Sequence, residues 1–153
     1  MRFSTIIASV LGVGYFPVAS GTVMSIIAVP LAIVIARYGG GASVLVASLL
    51  AFVIGIWACG AHVRATGRED PSECVIDELA GQWLACAGIL FAPASAAELA
   101  LAFLLFRLFD ILKPWPISAA ERLPGGLGVM ADDMLAGLAA AIIAAAVQYT
   151  RVI

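Results

Sequence analysis

The chain has 153 residues, of which 63% are hydrophobic and 12% charged, and its mean hydropathy is +1.10. This balance excludes an ordinary soluble protein, and the length allows one domain over residues 1–153. A formal charge of −2 without a basic stripe gives no reason to expect nucleic acid as a partner. The odd number of cysteines, three, fits reduced apolar residues better than a disulfide framework.

The apolar pattern predicts an all-α integral membrane protein. We expect a compact helical bundle of four transmembrane spans, preceded by an N-terminal helix within residues 3–16 that is interfacial or partly inserted. A cleaved signal peptide is the less favoured interpretation, because the next apolar segment follows at once. Five apolar segments follow the N-terminal helix, at residues 22–36, 43–61, 77–92, 96–112 and 131–148, and the four expected spans lie among them. Several are shorter than the roughly 20 residues that cross a bilayer, so their bounds can shift by about a turn.

Two polar loops, residues 62–76 and 113–129, carry much of the charge. If the spans alternate in direction, one side of the membrane holds Arg2, Arg64, Arg68, Lys113 and Arg122. The other side holds Arg37 and Arg151. The positive-inside rule makes the first side cytoplasmic. We therefore expect a multi-pass protein of the inner (cytoplasmic) membrane, with its active site facing the cytoplasm and no protein partner indicated.

An acidic pair, Asp77 and Glu78 in VIDELAGQW, begins the third segment. Adjacent helical positions point about 100° apart. One carboxylate can therefore face the bundle interior while its neighbour faces the headgroups or a supporting side chain. The structural alternative is an acidic pair favoured by the helix dipole.

A charged triplet, Arg107, Asp110 and Lys113 in FRLFDILKPWP, ends the fourth segment. The i, i+3, i+6 spacing predicts that the three side chains share one helix face. A self-neutralised stripe is one interpretation. The favoured one is that Asp110 binds a metal while Arg107 and Lys113 hold phosphate oxygens.

A third acidic group, Asp132 and Asp133, starts the last segment after the glycine-rich loop of LPGGLGVMADDMLAG. Simple helix capping is the structural alternative to metal ligation. The loop glycines would bring backbone N–H groups near a phosphate. Small residues at 136, 137 and 140 are expected to let helices pack closely.

The acidic residues share one property, which is that each lies beside or within an apolar stretch. An ionisable side chain in hydrocarbon costs roughly 2.5–3.5 kcal/mol on insertion scales, so several together need a shared stabiliser. A divalent cation with oxygen ligands is the predicted stabiliser. The predicted metal-binding and catalytic residues are Asp77, Glu78, Asp110, Asp132 and Asp133.

Four segments resemble the phosphatidylglycerophosphatase A family, namely LGVGYFPVASGTVMS (11–25), VIDELAGQW (75–83), FRLFDILKPWPI (106–117) and GGLGVMADDMLAG (125–137). The resemblance implies an integral membrane, Mg²⁺-dependent phosphatase. Such an enzyme converts the lipid phosphatidylglycerophosphate to phosphatidylglycerol and inorganic phosphate. It also implies that the five acids form the site, with Arg107 and Lys113 as phosphate contacts.

The first motif departs from the family pattern, because Ser20 stands where a proline is often found and Met24 where a glycine is usual. The role of Gly21 and Thr22 therefore stays open between substrate binding and a helix start with Thr22 near the cap.

Other function classes remain. A small cation carrier would explain buried acids but not Arg107 and Lys113 beside them, because these cations would repel the cargo. A noncatalytic lipid-binding protein would tolerate carboxylate-to-amide changes. A cysteine nucleophile is disfavoured, because Arg64 follows Cys59 one residue too soon for Cys-x5-Arg. His62, the single histidine, is expected to be interfacial rather than a catalytic base.

Overall fold

The computed structural model describes residues 2–68 and 71–150, and these residues form helices and connecting loops without a strand. The elements in chain order are α1 Phe3–Ala8, a 3-10 turn Val13–Tyr15, α2 Ser20–Thr66, α3 Ile76–Ala87, α4 Ala96–Leu112, α5 Ile117–Ala120 and α6 Gly126–Thr150. The all-α prediction is confirmed. Arg151, which contributed to the predicted orientation, lies outside the described residues.

Helix α2 is folded back on itself at Gly40. Gly40 alone leaves the helical conformation inside α2, with φ 67° and ψ −170°, a region that glycine adopts readily. The Ser43 hydroxyl donates to the carbonyl of Ile35 at 3.2 Å. Eight residues of straight helix would separate these positions by about 12 Å. The predicted segments 22–36 and 43–61 are therefore parts of one helical hairpin, whose first arm is residues 20–39 and whose second arm is residues 41–66.

Helix α3 packs against both arms of this hairpin. The indole N–H of Trp83 donates to the carbonyl of Ala28 in the first arm at 3.0 Å. In the second arm, the Ser48 hydroxyl donates to the carbonyl of Ala80 at 2.8 Å. Both bonds satisfy side-chain donors away from water, as an apolar surrounding requires.

Helices α3 and α6 approach each other backbone to backbone. A Cβ at Gly137 would overlap the carbonyl oxygen of Gly81, and one at Gly81 would lie 2.6 Å from the carbonyl oxygen of Asp133. Ala136 and Ala140 are also fully buried. These contacts agree with the expectation that small residues permit close helix packing here.

The interior contains mostly small side chains, while large apolar side chains face outward. Val53, Leu104 and Ile142 are each more than 60% exposed. Such a distribution suits a hydrocarbon surrounding, where outward apolar residues carry no penalty. Helices α2 and α6 are long and apolar enough to cross a membrane, by length and composition.

The third segment, predicted over residues 77–92, forms a shorter helix than expected. Helix α3 has 12 residues, which corresponds to about 18 Å and is less than the roughly 30 Å of a hydrocarbon core. The chain ends the helix at Ala87 and turns toward Pro93. A residue that precedes proline disfavours the helical conformation, so the helix cannot extend through Ala92.

Other bounds also differ from the prediction. The N-terminal helix spans only Phe3–Ala8, because Leu11 and Gly12 adopt positive φ values of 57° and 97°. Helix α2 continues to Thr66, and helix α6 begins at Gly126 rather than at residue 131. The prediction for α4, residues 96–112, agrees with the structure. Ser95 and Glu98 form a reciprocal capping box that starts α4.

Candidate active site

One cavity of about 920 Å³ gathers the residues predicted to bind metal or substrate. It is lined by Asp77, Glu78, Arg107, Asp110, Lys113, Asp132, Asp133, Gly21 and Thr22. The beginnings of α2, α3 and α6 meet the end of α4 at this cavity. The structure therefore brings these side chains together, and their chemical roles stay predictions.

Three of the five acids form a compact cluster. Asp77, Glu78 and Asp133 each offer one carboxylate oxygen, and these oxygens lie within 4.8 Å of one another. Glu78 Oε2 and Asp133 Oδ2 are buried without a hydrogen-bond partner. Among the residues that the structure describes, none of the three acids forms a salt bridge. Their mutual repulsion and unpartnered oxygens fit a divalent cation with oxygen ligands.

The other two acids are paired with basic side chains. Arg107 Nη1 lies 2.5 Å from Asp110 Oδ2 within α4. Lys113 Nζ donates to Asp132 Oδ2 at 2.7 Å. The five acids therefore divide into a cluster without a paired cation and two ion pairs at its side. From the sequence, all five acids are predicted to be metal-binding and catalytic residues.

Arg107 retains hydrogen-bonding capacity despite its ion pair. Its Nε and Nη1 atoms are buried and have no hydrogen bond of acceptable geometry. A guanidinium with unused donors in a closed space is suited to bind the oxygens of a phosphate.

Lys113 does not share a helix face with Asp110, so this part of the sequence prediction is wrong. Helix α4 ends at Leu112, and Lys113 adopts a left-handed conformation with φ 44°. Pro114 follows, and the residue before a proline is disfavoured in the helical region. Lys113 instead donates to Asp132 and to Glu121 Oε1, the latter at 2.9 Å. Burial opposes the charge of Lys113, but these two bonds raise its pKa above the usual value.

Both acidic pairs use the same local hydrogen bond. Asp77 Oδ1 accepts from the backbone N–H of Glu78 at 2.9 Å, and Asp132 Oδ1 accepts from that of Asp133 at 3.0 Å. Asp77 and Glu78 lie in the first turn of α3, where the helix dipole also favours them. Asp132 and Asp133 lie in the second turn of α6, so helix capping does not explain them.

The glycines near the cavity have different roles. A Cβ at Gly21 would overlap Glu78 Oε1, so Gly21 leaves the space that this carboxylate occupies. Helix α2 begins at Ser20, which places Thr22 inside the first turn rather than at the cap. Of the three loop glycines predicted to approach a phosphate, only Gly125 lines the cavity. Gly126 and Gly128 belong to α6 and pack against neighbouring backbone.

Some cavity residues were not predicted from the sequence. Glu121 Oε1 accepts a second hydrogen bond from Lys113, and Arg122 also lines the cavity. Glu121 belongs to the segment ISAAERLPGG. It lies near Lys113 only because of the turn that α5 forms. No spacing rule in the sequence indicates that turn.

His62 is buried in a separate polar network rather than exposed at an interface. Its Nδ1 lies 3.1 Å from Thr5 Oγ1, and its Nε2 lies 3.0 Å from Glu73 Oε1. Arg68 also pairs with Glu73. Burial raises the pKa of Glu73, but the hydrogen bond from His62 and the charge of Arg68 hold it below the usual value. The network joins α1, α2 and the loop after α2.

A family model described as phosphatidylglycerophosphatase A matches residues 6–148. The chain belongs to this family. The membership confirms the resemblance of the four sequence motifs. Each motif of the phosphatidylglycerophosphatase A pattern contributes residues to the cavity, for example Gly21, Glu78, Arg107 and Asp133.

Individual relatives support the phosphatidylglycerophosphatase A assignment. The chain is 36% identical over 140 residues to phosphatidylglycerophosphatase A of Haemophilus influenzae, covering 90% of this chain and 84% of that protein. It is 32% identical over 132 residues to phosphatidylglycerophosphatase A of Escherichia coli, covering 85% and 74%. A Bacteroides thetaiotaomicron protein, provisionally named a phosphatidylinositol-3-phosphatase, is 38% identical over 95 residues, covering 62% and 59%. No solved structure matches the chain.

Proposed function

We propose that this protein hydrolyses phosphatidylglycerophosphate to phosphatidylglycerol and inorganic phosphate, with Mg²⁺ as its cofactor. The family membership and the names of two relatives support the activity. The observation that carries the mechanism is the arrangement of the cavity, in which the cluster of Asp77, Glu78 and Asp133 lies beside Arg107 and Lys113.

Asp77, Glu78 and Asp133 would hold the metal, because each offers a carboxylate oxygen within 4.8 Å of the others. Glu78 and Asp133 also each have a buried oxygen without a hydrogen-bond partner. Asp110 and Asp132 stand beside them and remain candidates for completing the site. Bound Mg²⁺ would polarise the phosphoryl oxygens and lower the pKa of a water molecule.

The protein's own groups would bind and orient the substrate. The unused donors of Arg107 and the ammonium of Lys113 would hold the phosphate oxygens. Asp110 and Asp132 would keep these cations in position. If one of Glu78 and Asp133 stays outside the ligand set of the metal, its carboxylate would take the proton of the attacking water. Water then bonds to phosphorus, the bond between phosphorus and the oxygen of the headgroup glycerol breaks, and that oxygen takes up the proton that the carboxylate accepted. An aspartyl-phosphate intermediate is the alternative route.

We also propose that the protein crosses the inner membrane with four spans, which are the two arms of α2, then α4 and α6. Helix α3 and the segment 88–95 would lead the chain inside the bundle from the end of α2 to the start of α4. The cavity lies at the same end as Arg122 and Lys113, whereas Arg37 lies near the bend of α2 at Gly40. The positive-inside rule then directs the cavity toward the cytoplasm.

A phosphate-release assay tests this function. Purified protein in detergent should release phosphate from phosphatidylglycerophosphate with Mg²⁺ and stop with EDTA. Asp77→Asn, Asp110→Asn and Asp132→Asn should each lose activity by about two orders of magnitude or more while remaining folded. Full turnover by all three variants would refute the assignment.

Two further measurements separate the alternatives. Phosphatidylinositol-3-phosphate should be compared as a substrate, because one relative bears the corresponding name. Cation flux into sealed vesicles without phosphate release would favour a carrier instead.

A further inference from the structure

An apolar groove of about 320 Å³ lies between the first arm of α2 and helix α4. We call it the α2–α4 groove. It is lined by Ile26, Val29, Pro30, Ala96, Leu99, Ala100 and Phe103. None of these side chains is polar, so the groove offers an apolar surface without side-chain hydrogen-bonding groups.

The α2–α4 groove continues the active-site cavity along the same two helices. On α2, Thr22 lines the cavity and Ile26, one turn further, lines the groove. On α4, Arg107 lines the cavity and Phe103, one turn earlier, lines the groove. Because one helical turn advances about 5.4 Å, both helices pass directly from charged cavity to apolar groove.

Protein side chains do not fill the space between these two helices. In the part of the chain that the structure describes, no buried core cluster joins the first arm of α2 to α4. Met24 and Ala28 of α2 pack toward α3, while Ala102 and Phe106 of α4 pack toward α3 and α6. Ile26 remains 57% exposed. The groove is therefore an unfilled gap between the two helices, and it begins next to the predicted phosphate-binding residues.

We propose that the α2–α4 groove holds one acyl chain of the lipid phosphate monoester whose phosphate binds in the cavity. This inference rests on the proposed function. With the terminal phosphate at Arg107, the headgroup glycerol and the phosphodiester would occupy the remainder of the cavity. The acyl chains must then run from the cavity into the hydrocarbon, and the groove lies beside that exit. An unbranched chain fits an apolar groove with alanine and proline in its wall. A water-soluble ligand would find no polar partner there.

The groove contributes orientation rather than hydrophobic free energy. An acyl chain that leaves a bilayer or a micelle for the groove exchanges one apolar surrounding for another. However, an acyl chain held in the groove has a fixed direction, and this direction aligns the phosphate with the acidic cluster. Misplacement by about 1 Å can lower the rate by about a hundredfold. A blocked groove should therefore reduce catalysis with a diacyl substrate more than with a deacylated one.

The first experiment compares two tryptophan variants on α4. Ala100→Trp fills the groove, whereas Ala97→Trp adds the same ring at an exposed position of the same helix outside the groove. Both are assayed with diacyl phosphatidylglycerophosphate and with its water-soluble deacylated form. For Ala100→Trp we expect the ratio of kcat/KM between diacyl and deacylated substrate to fall by about tenfold or more. Ala97→Trp should keep the wild-type ratio. An equal ratio in both variants would overturn the proposal.

The second experiment uses the wild-type protein and does not depend on turnover. A phosphatidylglycerophosphate with a diazirine in one acyl chain is photolysed on the protein, and the labelled residues are mapped. Labelling concentrated on Phe103, Leu99 and Val29 is expected, and excess deacylated monoester should reduce it. Labelling spread evenly over outward residues such as Val53 and Ile142 would contradict the groove. Absence of phosphate release by the wild type with either substrate would instead contradict the proposed function.

Discussion

Gly21 lies directly against the carboxylate of Glu78, so that a Cβ at residue 21 would overlap Glu78 Oε1. The first turn of α2 therefore determines where one member of the acidic cluster can lie. This contact gives a physical reason for a glycine in the ASGT segment. Any larger residue would compete with the carboxylate for the same space.

Gly21→Ala should reduce activity with little loss of stability. The clash falls on the flexible end of Glu78, which can move, and alanine favours a helix by about 1 kcal/mol over glycine. We expect kcat/KM to fall by about ten- to a hundredfold while the melting temperature stays near the wild-type value. Steady-state kinetics and thermal unfolding measure the two effects. Wild-type turnover would show that the position of Glu78 is unimportant.

Gly137→Ala should destabilise the fold. Its added methyl group meets the backbone oxygen of Gly81, which cannot move aside as a side chain can. Overpacking of this kind costs about 1–3 kcal/mol. Gly60→Ala is the matched control, because its nearest neighbour would lie 3.4 Å away, at ordinary contact distance. Chemical denaturation in detergent should separate the two variants, and equal stability would contradict the close α3–α6 contact.

Mg²⁺ should stabilise the wild-type protein against thermal unfolding, because a ligand that binds only the folded state raises its stability. Asp133→Asn removes one charge from the acidic cluster and should abolish most of this shift. Asp110→Asn, which alters an ion pair with Arg107, should retain more of it. Melting temperatures with and without Mg²⁺ provide the measurement. An equal loss in both variants would indicate that Asp110 is as important for the metal as the cluster.

Lys113→Met should weaken catalysis through lost phosphate contact. Removal of a charged hydrogen bond costs about 1.5–3 kcal/mol, which corresponds to about a ten- to a hundredfold fall in kcat/KM. Glu121→Gln should change kcat/KM much less, because Asp132 still holds Lys113 at 2.7 Å. Thermal unfolding of Lys113→Met is needed as a control, since the change leaves Asp132 unpaired. A folded variant with unchanged kinetics would exclude Lys113 as a phosphate ligand.

Glu73 should stabilise the protein in a pH-dependent manner. Its folded-state pKa lies below the usual value of 4.5, so its stabilising contribution is present above pH 4.5 and disappears as the pH falls through the folded-state pKa. The difference in melting temperature between wild type and Glu73→Gln should accordingly shrink on acidification below that value. A difference that grows in acid would have the wrong sign for a lowered pKa.

Some local features of the fold are predicted by the sequence alone. Helix α4 begins after Ser95, where a capping box supplies a local start signal, and ends before Pro114, which supplies a local stop signal. The predicted end of α3 is wrong, because the last turn of this helix depends on how the chain approaches Pro93. The predicted separation of segments 22–36 and 43–61 is confirmed, because the helical conformation breaks at Gly40, within the run of three glycines between them.

The sequence alone determined that the protein is helical and apolar and that its acids lie in three groups near the ends of apolar segments. Only the tertiary structure decided which acids meet. Asp133 reaches Asp77 because Gly81 and Gly137 let α3 and α6 approach closely. Asp132 is instead paired with Lys113, which itself adopts the left-handed conformation directly after α4. Hydropathy and spacing act along one chain segment, whereas the distance between carboxylates on different helices depends on how closely their backbones pack.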